Sequence, residues 1–208
     1  LRTILITGFG PFPGAPFNPT EALVAELARG RSPNSLRRVS HVFRVSYAAV
    51  DRDLRILLDR ERPDALIMFG LAARTPHLRI EVQARNAVAC LLPDTDRQRP
   101  LGGRIVKDGP AQMSLHTPAH RLLRAAQSTG VPAMLSRDAG TYLCNYLCWQ
   151  VAHAARNGAP RVAAFVHVPA VGRASPRYAS HSRIRPDDLV RAGEAMIRAM
   201  VPLMRRRA

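Results

Sequence analysis

The sequence predicts an α/β fold, a sheet with helices on both faces. Three observations predict it. Short, continuously apolar runs stop at glycine or proline, as strands covered on both sides do: residues 3–7 end at Gly8, 65–69 at Gly70 and 162–168 at Pro169. Between such runs lie stretches of helical spacing with clear start and stop signals. The two kinds of segment alternate along the chain, the pattern that layers helices on a largely parallel sheet.

Each element follows in order. Residues 3–7 form the first strand, and a turn-rich loop runs from 8 to 17. Asn18-Pro19-Thr20-Glu21 opens a helix: the asparagine can cap it, proline fits the first helical position, and Glu21 sits three residues past the cap. Gly30 ends it. Residues 38–47 alternate as a strand. Residues 50–62 carry Leu54, Ile56, Leu57 and Leu58 at helical spacing and stop at Pro63. Residues 65–69 are a central strand, 80–88 alternate as a further strand, and 93–109 is irregular. Thr117-Pro118 starts a helix that Gly130 ends, 133–135 is a short strand, and 142–157 is a helix stopped by Gly158. After the strand at 162–168, Pro186-Asp187-Asp188 starts a last helix that runs to about Met204. No repeat or linker interrupts the 208 residues, so one domain spanning 1–208 is expected.

Composition narrows the function. Hydrophobic residues make up 47%, enough for a sizeable core. Lys+Arg is 31 against Asp+Glu 15, a net charge of +16, which first suggests nucleic acid. Yet Lys107 is the only lysine, the arginines are spread along the chain, and the one dense cluster is Arg205-Arg206-Arg207. Dispersed arginine reads as a codon-usage bias rather than a binding stripe, so no nucleic-acid partner is expected. Three cysteines, Cys90, Cys144 and Cys148, make no disulfide framework and suit a reducing compartment. No apolar run approaches the ~18 residues of a bilayer span, so no membrane partner is expected. Residues 1–7 lack the layout of a signal peptide.

Gly8-Phe9-Gly10 follows a strand, but Pro13 stands where a dinucleotide-binding fingerprint needs its third glycine, and no P-loop exists. His116 and His120 are four apart, yet Pro118 lies between them and no carboxylate joins them in zincin spacing. No metal is expected. Cys90 and Cys148 read as small buried hydrophobes. Cys144 follows a glycine turn and sits in the first turn of a helix, where the positive dipole end and free N–H groups favour a nucleophilic thiolate. Location alone leaves it balanced against an inert buried thiol. His167 stands at the carboxyl end of a strand, where ligands of α/β sheets bind, and makes a reasonable base. Glu81 is a third candidate; on spacing alone it reads as a salt bridge to Arg79 or Arg85.

Four blocks in order resemble the type I pyroglutamyl peptidases, also called pyrrolidone-carboxylate peptidases. They are Thr7-Gly8-Phe9-Gly10-Pro11-Phe12 with Asn18-Pro19-Thr20; Gly70-Leu71-Ala72 through Glu81 to Asn86; Ala139-Gly140-Thr141-Tyr142-Leu143-Cys144-Asn145; and Phe165-Val166-His167-Val168-Pro169. The resemblance implies a three-layer α/β/α sandwich with a central mixed, mostly parallel sheet, of the phosphorylase/hydrolase-like kind. It implies a thiol protease, a cysteine exopeptidase that removes an N-terminal pyroglutamyl residue from peptides through a triad of Cys144, His167 and Glu81. Phe9 and Phe12 match aromatic residues that enclose the lactam ring. Asn18, Leu71 and Leu143 are the remaining substrate-binding positions. The resemblance implies no cofactor and no metal, a cytoplasmic location and a homo-oligomer, dimer or tetramer.

The chain also departs from the family pattern. Leu71 stands where the family has glutamine, Ala73-Arg74 where it has two glycines, and Leu91 where it has an arginine expected near the oxyanion. These changes carry alternatives: a divergent or inactive member that only binds, a thiol hydrolase of altered specificity, or a member in which another residue, such as Arg74 or Arg85, substitutes for what is lost.

Overall fold

The computed structural model describes residues 1–31, 36–115, 118–158, 160–171 and 183–204; His116, Thr117 and the Arg205-Arg206-Arg207 cluster lie outside them. Eight strands and five helices are found among the described residues. They are β1 (Arg2–Phe9), α1 (Pro19–Arg29), β2 (Leu36–Phe43), α2 (Tyr47–Glu61), β3 (Ala65–Leu71), β4 (Leu78–Glu81), β5 (Gln83–Arg85), β6 (Gln112–Ser114), α3 (Ala119–Gln127), β7 (Ala133–Ser136), α4 (Leu143–Arg156), β8 (Val162–Val168) and α5 (Pro186–Met200). No helix among these residues is long and apolar enough to cross a membrane.

Six strands form one sheet in the order β2-β1-β3-β8-β4-β7. Every neighbouring pair is parallel except β4 and β8, which run antiparallel. Strand parity then divides the core. Ile4, Ile6, Ile67, Phe69, Ala164 and Val166 join the side chains of α1, α3 and α5 in one cluster. Leu5, Leu66, Met68, Ala163 and Phe165 join those of α2 and α4 in the other. The architecture is therefore three layers around a mixed, mostly parallel sheet, as the sequence predicts. Each buried Leu, Ile or Phe of the central strands contributes about 1.5–3 kcal/mol.

Local signals explain most boundaries. The Asn18 side chain accepts from the Thr20 N–H at 3.1 Å and caps α1, with Pro19 at its first position. Helix α2 begins three residues before the expected 50, because Ser46 caps it by accepting from the Ala49 N–H at 3.3 Å; β2 accordingly stops at Phe43 rather than 47. The expected strand at 80–88 is two strands in two sheets. After Glu81 the chain leaves the main sheet: the Val82 N–H still donates to Ser136, but Gln83–Arg85 pairs antiparallel with the short β6, which no local pattern announces. Cys90 is only half-buried, whereas Cys148 is fully buried.

Candidate active site

Parity brings the site residues to one face. Side chains of the same parity as Phe165 in β8 and Met68 in β3 face α2 and α4, which puts His167 and Gly70 on that side. In β4, Leu78 and Ile80 pack on the opposite cluster, so Arg79 and Glu81 share the His167 side. Register then makes them neighbours: His167 pairs with Gly70 across β3–β8 and with Arg79 across β4–β8. Gly70 has to be glycine for steric reasons. A Cβ there would lie 2.8 Å from the Cys144 Sγ and 2.6 Å from the Phe165 ring. The sulfur thus rests over the backbone beside His167.

Cys144 is the second residue of α4. The first bond of that helix runs from the Tyr146 N–H to the Tyr142 carbonyl, 3.0 Å, so the N–H groups of Leu143, Cys144 and Asn145 lie outside the helical ladder. Cys144 thus sits at the end of α4 that carries these N–H groups and the positive end of the helix dipole. The preceding loop is fixed at several points. Gly140 has φ +84°, and its N–H donates to Asp138 Oδ1 at 2.9 Å. The Tyr142 hydroxyl donates to the Pro93 carbonyl at 2.9 Å; burial and Asp94 push this phenol up to about 12. Buried Asn145 accepts from the Arg85 N–H at 2.9 Å and donates to the Arg85 and Ala87 carbonyls at 2.8 Å each, tying the helix start to β5.

Glu81 has no solvent exposure and His167 only 5%. His167 Nδ1 lies 2.8 Å from Glu81 Oε1. A carboxylate only accepts, so Nδ1 carries the hydrogen and Nε2 is left for the sulfur. Burial, the largest single influence, works against the imidazolium. The Cys144 sulfur, by charge and hydrogen bond, and then Glu81 act the other way and prevail, raising His167 to about 9. Cys148, one turn further along α4, is pushed well up by burial and stays a thiol.

Phe9, Phe12, Asn18, Val45, Leu71, Leu143, Cys144 and His167 line one cavity of about 290 Å³, with Ala72, Arg79 and residues 138–142 completing it. That size is at the small end for ligand pockets. Asn18 does not cap alone: its amide donates to the Gly10 carbonyl at 3.1 Å, while Thr20 Oγ1 donates to the Phe9 carbonyl at 2.9 Å. The end of β1, with Phe9, and the start of the loop that bears Phe12 are so latched to α1.

Two sequence expectations need correction. Leu91 is 85% exposed and does not line the cavity, so only Leu71 of the two changed leucines touches it. Arg74 and Arg85 do not line it either; Arg85 turns to Asp138 Oδ1 at 2.5 Å. The arginine that lines the cavity is Arg79, whose Nη2 lies 3.0 Å from Glu81 Oε1. Glu81 therefore holds both its salt bridge and the histidine. The spacing of Arg79 and Glu81, two apart on a strand, was the signal for a shared face.

A family profile described as pyroglutamyl peptidase matches residues 2–198. The chain belongs to this family. It is a cysteine peptidase acting on peptide substrates. A pyrrolidone-carboxylate peptidase of Clavibacter michiganensis subsp. michiganensis is 33% identical over 204 residues, 96% of this chain and 92% of that one. One from Thermococcus litoralis is 32% identical over 170 residues, 81% and 77% of the two chains. Among solved structures, the Thermococcus litoralis pyrrolidone carboxyl peptidase matches with a TM-score of 0.88 at 27% identity, over 98% of this chain and 95% of that one. A mutant pyrrolidone carboxyl peptidase from Pyrococcus furiosus gives 0.89 at 25% identity, over 98% and 100%.

Proposed function

We propose that this chain hydrolyses the bond after an N-terminal pyroglutamyl residue of peptides, with Cys144 as nucleophile, His167 as proton carrier and Glu81 as the carboxylate that orients it. The observation that carries the reading is the 2.8 Å Glu81–His167 contact leading to Cys144 inside the cavity. The cavity also suits the substrate. Its aromatic and aliphatic lining, Phe9, Phe12, Leu71 and Leu143, accepts a flat uncharged lactam, and the charges of Arg79 and Asp138 are already engaged by Glu81 and Arg85.

The steps follow from these groups. His167 Nε2 takes the thiol proton, and the sulfur attacks the pyroglutamyl carbonyl carbon. The oxyanion that forms is met by the backbone N–H groups at the start of α4, an interaction worth roughly 2.7–4 kcal/mol per donor in other hydrolases. The imidazolium gives its proton to the departing amine as the C–N bond breaks, leaving a thioester. Water, deprotonated by His167, attacks that thioester; the C–S bond breaks and pyroglutamic acid leaves as the thiol is restored. Glu81 stabilises the imidazolium in both halves. The same reading takes 1–208 as one domain working in the cytoplasm as a homo-oligomer.

The test is release of a fluorescent amine from its pyroglutamyl amide by the wild type and by Cys144→Ala. Turnover by the wild type alone is expected. Turnover that survives in the variant would remove the nucleophile, and stoichiometric binding without turnover would favour a binding protein.

A further inference from the structure

We propose that Arg79 is a positioning residue for this reaction: it pairs with the Glu81 carboxylate and fixes it whatever the protonation state of His167. The inference rests on the function proposed above and adds a fourth group to its line. Glu81 Oε1 is shared between His167 Nδ1 at 2.8 Å and Arg79 Nη2 at 3.0 Å, while Oε2 has no hydrogen-bond partner among the described residues. The guanidinium is itself braced. Nη2 and Nε donate to Ser136 Oγ at 2.8 and 3.3 Å, and Nη2 donates to the Asp138 carbonyl. The antiparallel register of β4 and β8 sets Arg79 directly opposite His167, so the bracing is part of the sheet.

The charge count gives the reason. A fully buried carboxylate is costly unless a cation accompanies it. Were His167 the sole partner of Glu81, the carboxylate would hold the imidazole's proton and oppose its transfer to the leaving amine. With Arg79 present, the Glu81–Arg79 pair is neutral by itself. The His167–Cys144 pair is neutral both as thiol with imidazole and as thiolate with imidazolium. Proton transfer between sulfur and ring then leaves no uncompensated buried charge in either state.

The ionisable groups facing this cluster are Cys144 and Cys148 of α4, His167 of β8, Tyr142 and Asp138 of the preceding loop, and Arg85, which is paired to Asp138. Removing Arg79 takes away one positive charge. The thiolate becomes harder to form and the imidazolium harder to deprotonate, so both limbs of the activity profile move to higher pH.

The experiment follows alkylation of Cys144 by iodoacetamide against pH, mapped by mass spectrometry to separate it from Cys90 and Cys148. It is done for the wild type, Arg79→Met and Arg79→Lys, alongside pH profiles of pyroglutamyl-amide hydrolysis. Arg79→Met is expected to shift the alkylation midpoint and both limbs upward by about one unit. Its kcat should fall about 10- to 100-fold, part of the roughly 10²–10⁴ that acid–base catalysis supplies, with KM within about threefold. Arg79→Lys keeps the charge and should keep the wild-type midpoint while losing part of kcat; it carries the test if the methionine variant does not fold. Unmoved midpoints in Arg79→Met, a shifted midpoint in Arg79→Lys, or a change in KM alone would overturn the proposal. Alkylation needs no substrate, so a wild type that alkylates with the predicted dependence on Arg79 but does not cleave the amide would fail the peptidase reading and leave this one standing.

Discussion

Two of the arginine–glutamate pairs, Arg38–Glu194 and Arg79–Glu81, lie against opposite faces of the main sheet and are built differently. On the face covered by α1, α3 and α5, Arg38 meets both carboxylate oxygens of Glu194 and also donates to the Leu27 carbonyl. That pair ties β2 to α5. On the face covered by α2 and α4, Arg79 and His167 share one oxygen of Glu81, and the line continues to a sulfur at a cavity. Satisfied polar groups stabilise; a polar line left open at one end is free to react. The first face is therefore assigned to cohesion and the second to chemistry.

Within the second face the sharpest contrast lies in α4 itself. Cys144→Ala is expected to lower kcat by about 10⁴-fold or more, as loss of a nucleophile does elsewhere. Cys148→Ala, one turn away and fully buried, should leave kcat/KM within about twofold and cost about 1–2 kcal/mol in urea unfolding. Comparable losses of activity in both would erase the distinction.

Glycines provide the second comparison. A methyl group at Gly70 would strike the Cys144 sulfur and the Phe165 ring, so Gly70→Ala should reduce kcat/KM about 100-fold by displacing the nucleophile, as misplacements near 1 Å do. At Gly193 of α5 the same methyl meets only the flexible end of Leu27, at 2.8 Å. Gly193→Ala should leave activity unchanged, its crowding offset by about 1 kcal/mol of helix propensity.

Acidity refines the chemical face further. The folded state raises His167, so its proton is kept through neutral pH and lost as pH rises through about 9. The profile of kcat/KM should therefore decline about tenfold per unit above that point, when no acid remains for the leaving amine. In Cys144→Ala the ring loses its largest favourable partner, and its titration followed by NMR should move to lower pH. An unmoved titration would detach His167 from the sulfur. The smallest effect on activity is expected from Leu27→Ala: about 2–5 kcal/mol of stability lost, with kcat/KM of the folded fraction unchanged.

Much of this was legible in the sequence, and the reasons are local. Continuous apolar runs marked β1, β3 and β8 because both faces of those strands are covered, and Asn18-Pro19 marked α1 through capping chemistry. The switch of sheets at Val82 was hidden because the alternation of side chains runs on unbroken while the hydrogen-bonding partner changes from Ser136 to β6. Ser46 was a readable cap that the alternating pattern of β2 obscured. At the site, parity put Arg79 and Glu81 on one face, yet only the strand order β3-β8-β4 sets Gly70 and Arg79 on either side of His167, and strand order is a long-range property. Leu91 shows the converse: a position aligned with a family arginine proved to be surface.

The most direct measurement traps the intermediate. The wild type is mixed with excess pyroglutamyl ester, quenched in acid within one turnover and digested for peptide mapping. The account predicts a mass increment of one pyroglutamyl group on the peptide carrying Cys144, absent in Cys144→Ala. An adduct on another residue, or full turnover of the ester with no thioester at any time point, would contradict it.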